Sequence, residues 1–121
     1  MAVAEATPTA LEQLLGHLVQ NAIEASDDGQ AVTAVVASDG LSVTIDVIDQ
    51  GCGMSPTFIR DKLFKPFVSS KAGGFGIGAF EARQLAATMG GHLEVTSREG
   101  QGTRFRVVLK AAHAADIGQA A

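Results

Sequence analysis

Two stretches of the chain carry apolar residues at the spacing of an amphipathic helix. The first runs from Thr9 to about Ser26 and has apolar residues at positions 11, 14, 15, 18, 19, 22 and 23, which is the pattern of one helix face. Pro8 suits the first turn of this helix. The second stretch covers residues 77–89 and ends at Gly90-Gly91, a typical C-terminal cap.

Four further segments are rich in β-branched residues or alternate between apolar and polar residues, and they predict strands at residues 31–37, 41–49, 92–97 and 103–110. Asp39-Gly40 predicts a two-residue hairpin turn between the first two strands. Residues 50–75 predict a loop with one short helix near residues 56–63. The element order predicts an α+β, two-layer α/β sandwich, with a mixed, mostly antiparallel sheet and helices on one face.

Length and composition predict one soluble domain. The 121 residues suit a single domain at residues 9–110, with a linker or truncated strand at 1–8 and a tail at 111–121. A hydrophobic content of 46% with 18% charged residues excludes intrinsic disorder. The net charge of −4 argues against nucleic acid as a partner but leaves room for a small phosphorylated ligand.

Cysteine usage and hydropathy point to a cytoplasmic location. Cys52 is the only cysteine, which rules out an intramolecular disulfide and any multi-cysteine metal site. No apolar run reaches the length of a membrane span, and the N-terminus lacks the pattern of a secretory signal. We therefore expect a cytoplasmic domain with no direct membrane contact of its own.

The first helix carries three polar residues on one side, His17, Asn21 and Glu24. An asparagine beside an apolar stripe needs a partner, because burying an unpaired amide is costly. One interpretation is a Mg²⁺ ligand, since the amide oxygen is a hard neutral donor. The alternative, favoured by the helix alone, is an asparagine at the edge of the core that bonds to backbone.

Asp49 ends the second strand and shares the face of that strand's apolar residues. A carboxylate that points toward a helix layer needs donors or a counter-charge. Gly51 and Gly53 follow directly and let backbone come close to a ligand. The functional interpretation is an acceptor for the amine of a planar heterocycle, and the alternative is an ordinary turn.

A glycine-rich segment, residues 71–78, runs directly into the second helix. Gly74, Gly76 and Gly78 free backbone N–H groups, and the helix start adds a positive dipole end, with Lys71 just upstream. This pattern predicts phosphate binding, against the alternative of a flexible loop. The segment does not contain the P-loop sequence motif, and no strand precedes it as in a dinucleotide-binding fingerprint.

Taken in order, five segments resemble the ATP-binding domain of bacterial sensor histidine kinases. This domain belongs to the GHKL group, which has the Bergerat fold and includes type II topoisomerases, the 90 kDa chaperones and mismatch-repair ATPases. The resemblance covers about residues 9–110. In chain order the segments are LEQLLGHLVQNAIEAS (N box), DVIDQGCGM (G1 box), LFKPFVSSK (F box), GGFGIGAFEARQLAATMGGHLEV (G2 box with its helix) and GQGTRFRVVL (last glycine box).

The resemblance implies a role for each matching residue. Asn21 would hold a Mg²⁺ ion that bridges the ATP phosphates. Asp49 would accept a hydrogen bond from the adenine amino group, and Thr103 would lie near the adenine. The remaining nucleotide-binding positions that the resemblance implies are Gly51, Gly53, Lys71, Gly74, Phe75, Gly76, Ile77 and Gly78. Gly53 would open room beside the base, and Lys71 would act as a lid cation near the phosphates.

The sequence departs from the family's pattern on the first helix. His17 stands where many kinases have asparagine and where topoisomerase-type relatives have the glutamate that activates water. Glu24 stands where many kinases have lysine. With Asn21 and Lys71, His17 completes the set of candidate catalytic residues.

The resemblance implies a kinase catalytic domain that binds ATP or ADP and Mg²⁺. None of His17, His92 and His113 has the context of a phosphoacceptor histidine. The γ-phosphoryl would therefore go to a histidine on a separate helical dimerisation domain of the same kinase, and then to a response regulator. The full-length kinase would be cytoplasmic or membrane-anchored. The alternatives are a GHKL ATPase and a degenerate nucleotide-binding interaction module.

Overall fold

A four-stranded sheet with two long helices on one face forms the framework of the described chain. The computed structural model describes residues 8–27, 29–65, 69–70 and 75–111. In chain order the elements are α1 (Pro8–Ala25), β1 (Thr33–Ser38), β2 (Ser42–Asp49), α2 (Pro56–Phe58) with a π-helical turn (Ile59–Leu63), β3 (Ser69–Ser70), β4 (Phe75–Gly76), α3 (Ile77–Thr88), β5 (His92–Arg98) and β6 (Gly102–Lys110).

The strand order of the main sheet is β1-β2-β6-β5, so β2 and β6 are central. Two hairpins, β1-β2 and β5-β6, meet where β2 pairs with β6, and Asp49 lies directly opposite Thr103. The predicted α+β sandwich is confirmed. The predicted sheet is mixed, which requires at least one parallel strand pair. Every strand pair among the described residues is antiparallel.

The core lies between the helices and one face of the sheet, which we call the inner face. Alternate residues of β2 and β6 point into it, as period-two alternation requires. Helix α1 contributes Leu14, Leu18 and Ala22, which are fully or almost fully buried. Helix α3 contributes a stripe of fully buried alanines, Ala79, Ala82 and Ala86. Because these side chains are small, α3 can pack closely against α1.

The face of the sheet away from the helices, the outer face, carries a buried ion pair. Asp46 accepts hydrogen bonds from Arg106 Nε at 2.8 Å and from Arg106 Nη2 at 2.9 Å. Arg104 is a second cation, 3.9 Å from the same carboxylate. The bonds from Arg106 lower the pKa of Asp46, and they outweigh the opposing effect of burial.

The hairpin between β1 and β2 differs from the predicted two-residue turn. Ser38 pairs with Val43, and the N–H of Asp39 donates to the carbonyl of Ser42 at 3.2 Å, so the turn lies on Gly40 and Leu41, one residue later than predicted. The carboxylate of Asp39 accepts hydrogen bonds from the backbone N–H groups of Leu41 and Ser42, each at 2.8 Å. An aspartate that binds backbone beyond its own position favours a place before the turn over one within it.

The predicted short helix near 56–63 forms, but most of it is a π-helical turn. Ser55 caps its start by accepting a hydrogen bond from the N–H of Phe58 at 3.1 Å. Within the stretch predicted as loop, the short strands β3 and β4 also pair with each other. The remaining strands and helices begin and end within two residues of the predicted positions.

Candidate functional site

Asp49 is the buried carboxylate that the strand pattern predicts on the inner face. Its side chain is at the end of β2, and the residue is only 4% exposed. The carboxylate oxygen Oδ1 accepts a hydrogen bond from the N–H of Gly51 at 2.9 Å. The backbone of Thr103 also bonds to this carboxylate. Burial nevertheless dominates over these two bonds and raises the pKa of Asp49.

No cation neutralises Asp49 within the part of the chain that the structure describes. The ion pairs found there involve Asp46, Asp61 and Glu94. A carboxylate in this position has lone pairs that two backbone donors do not exhaust. A ligand that donates a hydrogen bond, such as the amino group of a heterocycle, would use the remaining lone pairs of this carboxylate.

A hydroxyl pair lies beside Asp49. The hydroxyls of Ser97 and Thr103 are 2.7 Å apart. Ser97 also donates to the carbonyl of Gly102 at 3.0 Å and accepts from the N–H of Met54 at 2.8 Å. Since Ser97 has one proton and gives it to Gly102, Thr103 is the donor between the two hydroxyls. Thr103 is therefore left with acceptor capacity toward a ligand.

The glycines after Asp49 are required by contacts with other backbone segments. A Cβ atom on Gly51 would lie 2.1 Å from the carbonyl oxygen of Ala25, and one on Gly53 would lie 2.0 Å from that of Arg98. Gly53 also has a φ of +70°, a conformation that favours glycine. These contacts fix the loop against α1 and the β5-β6 turn. The roles of Gly51 and Gly53 toward a nucleotide stay predictions.

Asn21 lies on the buried side of α1 and is 4% exposed. Its amide nitrogen Nδ2 has no hydrogen-bond partner among the described residues. A buried polar atom without a partner costs about 1–3 kcal/mol, and a bound ligand can recover that cost. Because Nδ2 is a hydrogen-bond donor, the group that fits it is an acceptor such as a phosphate oxygen. Whether the amide oxygen of Asn21 holds Mg²⁺ or bonds to backbone stays a prediction.

Helix α1 and the Asp49 loop meet directly. The N–H of Cys52 donates to the carbonyl of Ala25 at 3.2 Å. Asn21 is one helical turn before Ala25 on the same face of α1. Asn21 and the loop that contains Gly51 are thereby held in one rigid corner of the fold, and strand pairing adds Thr103 to it.

The remaining predicted site residues are only partly described. His17 is half-buried on α1, one turn before Asn21. The backbones of Phe75 and Gly76 form β4, and those of Ile77 and Gly78 form the first turn of α3. The glycine segment does run directly into a helix, as predicted. Lys71 and Gly74 lie outside the described residues.

Sequence reasoning missed two residues of this corner. Ser97 links Met54, Gly102 and Thr103, and Gly102 has a φ of +102° with its Cβ position 2.2 Å from the carbonyl oxygen of Asp49. A signal for Ser97 was present, because it shares the inner-face alternation of Leu93 and Val95. Gly102 appeared only within the last glycine box and without a role of its own, since its contact with β2 depends on strand register.

The chain matches a family model across residues 6–113, and it belongs to the histidine kinase-, DNA gyrase B- and HSP90-like ATPase family. The predicted membership in the GHKL group is confirmed by this match.

The similar proteins are sensor kinases. Over 115 residues the chain is 34% identical to the aerobic respiration control sensor protein ArcB of Escherichia coli, covering 89% of this chain and 15% of that protein. Over 106 residues it is 41% identical to the C4-dicarboxylate transport sensor protein DctB of Rhizobium meliloti, covering 84% of this chain and 16% of that protein. The chain thus spans a small part of these relatives.

Solved structures give the same assignment. The catalytic domain of histidine kinase ThkA superposes with a TM-score of 0.75 at 28% identity, covering 87% of this chain and 69% of that one. The mycobacterial sensor histidine kinase MprB has a TM-score of 0.75 at 23% identity, covering 89% of this chain and 76% of that one, and supports the fold alone. The prediction of a sensor histidine kinase ATP-binding domain is confirmed. None of the described helices is long and apolar enough to cross a bilayer.

Proposed function

We propose that this chain binds Mg²⁺·ATP and donates the γ-phosphoryl group to a histidine on a separate helical domain of the same kinase. The observation that carries the proposal is Asp49, a buried carboxylate that faces the helix layer with two backbone donors and, among the described residues, no cation. That arrangement leaves lone pairs for a ligand N–H donor. The exocyclic amine of adenine has this chemistry.

The residues around Asp49 complete the base site in this proposal. Thr103 supports it with a hydroxyl whose proton is committed to Ser97, so that it accepts from the base or from a bridging water. The backbone contacts of Gly51 and Gly53 hold the loop rigid. A preorganised loop binds a planar ligand without first losing conformational entropy.

The phosphate end of the site is assigned to Asn21 and to the segment that starts α3. Asn21 would ligate Mg²⁺ through its amide, with His17 one turn away along α1. Gly76, Ile77 and Gly78 would bring backbone N–H groups and the positive end of α3 toward the phosphates. Lys71, Gly74 and Phe75 complete the proposed phosphate lid. A Mg²⁺ ion bound there would neutralise the charge that builds up during phosphoryl transfer.

Phosphoryl transfer rather than hydrolysis is favoured by the residue at position 17. The resemblance implies that the ATPase relatives activate water with a glutamate at this position. The sequence has histidine, not glutamate, at the position where the ATPase relatives carry that base. We therefore assign to the chain the transfer of the γ-phosphoryl group to a histidine. In this proposal a response regulator is the later acceptor, and the reaction takes place in the cytoplasm.

Calorimetric titration of the whole chain with ATP tests the binding step. We expect saturable binding that tightens when Mg²⁺ is added, and we expect Asn21→Ala to remove that Mg²⁺ dependence. Gln20→Ala is the matched control, because Gln20 is an exposed neighbour on α1 whose amide donates to Glu24. An Asn21→Ala variant that keeps its full Mg²⁺ dependence would contradict the assignment of the metal ligand.

Mixing the chain with the helical domain of its full-length kinase and γ-labelled ATP tests the transfer step. The expected result is an acid-labile, base-stable label on that domain. Steady release of inorganic phosphate without any labelled protein would instead favour the ATPase alternative. Absence of nucleotide binding altogether would favour the degenerate interaction module.

A further inference from the structure

A row of three side chains crosses the sheet at the end where the Asp49 loop begins. Asp49 on β2 lies opposite Thr103 on β6, and Thr103 in turn lies opposite Ser97 on β5. Residues directly opposite each other on paired strands share a face, so all three side chains point to the inner face. They also line one cleft of about 300 Å³ that is open to solvent. Ser97 is therefore two strands away from the carboxylate that the proposed function assigns to the base.

The hydroxyl of Ser97 uses its whole hydrogen-bonding capacity inside the protein. Its oxygen accepts from the N–H of Met54 at 2.8 Å, and its proton is donated to the carbonyl of Gly102 at 3.0 Å. The hydroxyl of Thr103 lies 2.7 Å away and takes the second lone pair. A serine hydroxyl has one proton and two lone pairs, so all three bonds form together only when Thr103 is the donor. If Ser97 donated to Thr103 instead, the bond to Gly102 would be lost.

The bond to Ser97 decides what Thr103 offers to a ligand. The proton of Thr103 is fixed toward Ser97, and the side chain of this residue, which is 3% exposed, presents only lone pairs elsewhere. The ionised carboxylate of Asp49 also offers only lone pairs. Two neighbouring acceptors of this kind bind N–H donors and repel an oxygen atom of a ligand.

We propose that Ser97 is a positioning residue that makes the base site select a 6-aminopurine over a 6-oxopurine by holding the proton of Thr103. The inference rests on the proposed function, because it concerns the same base site. A 6-amino group donates to the acceptors of the site, whereas a 6-oxo group adds a further acceptor and leaves them unpaired. A site built to bind an N–H group rejects analogues that lack it, because its buried polar groups are then left without partners.

Loss of the Ser97 hydroxyl should therefore change base selection more than base affinity. Without Ser97 as its acceptor, the O–H of Thr103 is free to turn toward a ligand oxygen. Thr103 then serves a 6-amino and a 6-oxo group alike. A purely structural role of Ser97, through its bonds to Met54 and Gly102, would instead weaken both kinds of purine equally.

Calorimetric titration of the whole chain with Mg²⁺ and either ATP or inosine triphosphate (ITP) tests the proposal. ITP has a 6-oxo group and the same triphosphate, so the ratio of the two affinities isolates the base. We expect this ratio to favour ATP in the wild type and to fall about tenfold in Ser97→Ala, the effect of one hydrogen bond. Ser97→Thr retains the hydroxyl and should restore the ratio to within about twofold of wild type.

Thr88→Ala is the matched control. Thr88 also donates its hydroxyl proton to a backbone carbonyl, that of Leu85 at 2.7 Å, but it lies at the end of α3. Its removal should leave the ATP to ITP ratio within about twofold of wild type. Thermal unfolding of each variant without nucleotide checks that it is folded.

A second variant covers the case in which Ser97→Ala does not fold. Ser97→Cys keeps the shape of the side chain and replaces the hydroxyl by a weak donor and acceptor, so the ratio should fall in this variant too. An unchanged ratio in the folded variant, an equal fall in Ser97→Thr or in Thr88→Ala, or equal affinities of wild type for ATP and ITP would overturn the inference while leaving ATP binding intact. Absence of ATP binding by the wild type would overturn the proposed function and the inference with it.

Discussion

Asp46 and Asp49 lie three residues apart on the same strand, and they are almost equally buried, at 7% and 4% exposure. They point to opposite faces of the sheet. On the outer face Asp46 is held by Arg106, with Arg104 nearby, and its pKa is lowered. On the inner face Asp49 has only backbone donors, and its pKa is raised. Burial weighs more heavily on Asp49, and only Asp46 has cationic partners, so the two effects together give the shifts their opposite signs.

The difference separates a structural carboxylate from one available to a ligand. Asp46 is satisfied by the fold, and removing it leaves the half-exposed guanidinium of Arg106 without its partner. When it is ionised, Asp49 destabilises the fold, because the loss of hydration outweighs its hydrogen bonds. A destabilising buried carboxylate of this kind is typical of a site that binds a ligand.

The largest effect is expected from Gly51→Ala, which disturbs the loop that donates to Asp49. Its new Cβ would lie 2.1 Å from the carbonyl oxygen of Ala25, and neither backbone segment can move freely. We expect a loss of about 3 kcal/mol in the free energy of unfolding, at the upper end of overpacking effects. Urea denaturation measures it.

Gly16→Ala is the matched control for this substitution. Gly16 lies inside α1, and a Cβ atom there would meet nothing within 4 Å. Alanine is the better helix former, so this variant should gain about 0.5–1 kcal/mol. Equal stability of Gly51→Ala and wild type would show that the loop yields to the added methyl group.

Asp49→Asn should weaken ATP binding by about 10- to 150-fold, because loss of a hydrogen bond to a charged group costs about 1.5–3 kcal/mol. Calorimetry on ATP and ADP measures this change. The same variant should unfold at a temperature no lower than wild type, since it removes a buried charge. Wild-type affinity, or a marked fall in melting temperature, would contradict the distinction between the two aspartates.

Arg106→Gln should lower the free energy of unfolding, because Asp46 loses both of its short bonds while Arg104 remains close. Nucleotide affinity should stay within twofold of wild type. Arg60→Gln is the control and should lower the free energy of unfolding less, since the Arg60–Asp61 pair is exposed. Equal losses of unfolding free energy in the two variants would show that the Asp46–Arg106 pair stabilises the fold no more than an exposed ion pair does.

The smallest effect is a pair of opposite pH dependences. The stabilising contribution of Asp46 is present above its ordinary pKa of 3.8 and is lost as pH falls through its lowered value. Asp49 behaves in the opposite sense, since its ionisation destabilises the fold as pH rises from 3.8 through its raised pKa. Urea denaturation at several pH values measures both.

Relative to wild type, Asp49→Asn should therefore gain stability as pH rises through that window. Asp46→Asn should lose stability relative to wild type as pH rises. Slopes of the same sign for the two variants would contradict this comparison.

Period-two alternation was enough to place Asp49 on the inner face, because strand geometry sends every second side chain the same way. It could not reveal that Asp46 pairs with Arg106. That contact joins residues 60 positions apart and depends on the register between β2 and β6. The hydrogen bond between Ser97 and Thr103 also depends on strand register, so the sequence pattern could not reveal it.

Local polar competition explains the wrong hairpin prediction. Asp39-Gly40 has the sequence of a tight turn, but the carboxylate of Asp39 binds the N–H groups of Leu41 and Ser42, and the turn forms one residue later. On α1 the spacing of Asn21 left two interpretations open. The buried amide nitrogen without a partner is a donor available to a ligand, which only three-dimensional packing reveals, and the Mg²⁺ role of the amide oxygen stays a prediction.

The alanine stripe of α3 has a consequence far from any ligand. Ala79, Ala82 and Ala86 are fully buried where α3 meets α1, so one added methylene group must push the helices apart. Helix α1 carries Asn21, and α3 begins at Ile77 and Gly78, the end of the proposed phosphate-binding segment. In the proposed site, the width of a methyl group between the two helices therefore sets the distance between the proposed metal ligand and that segment.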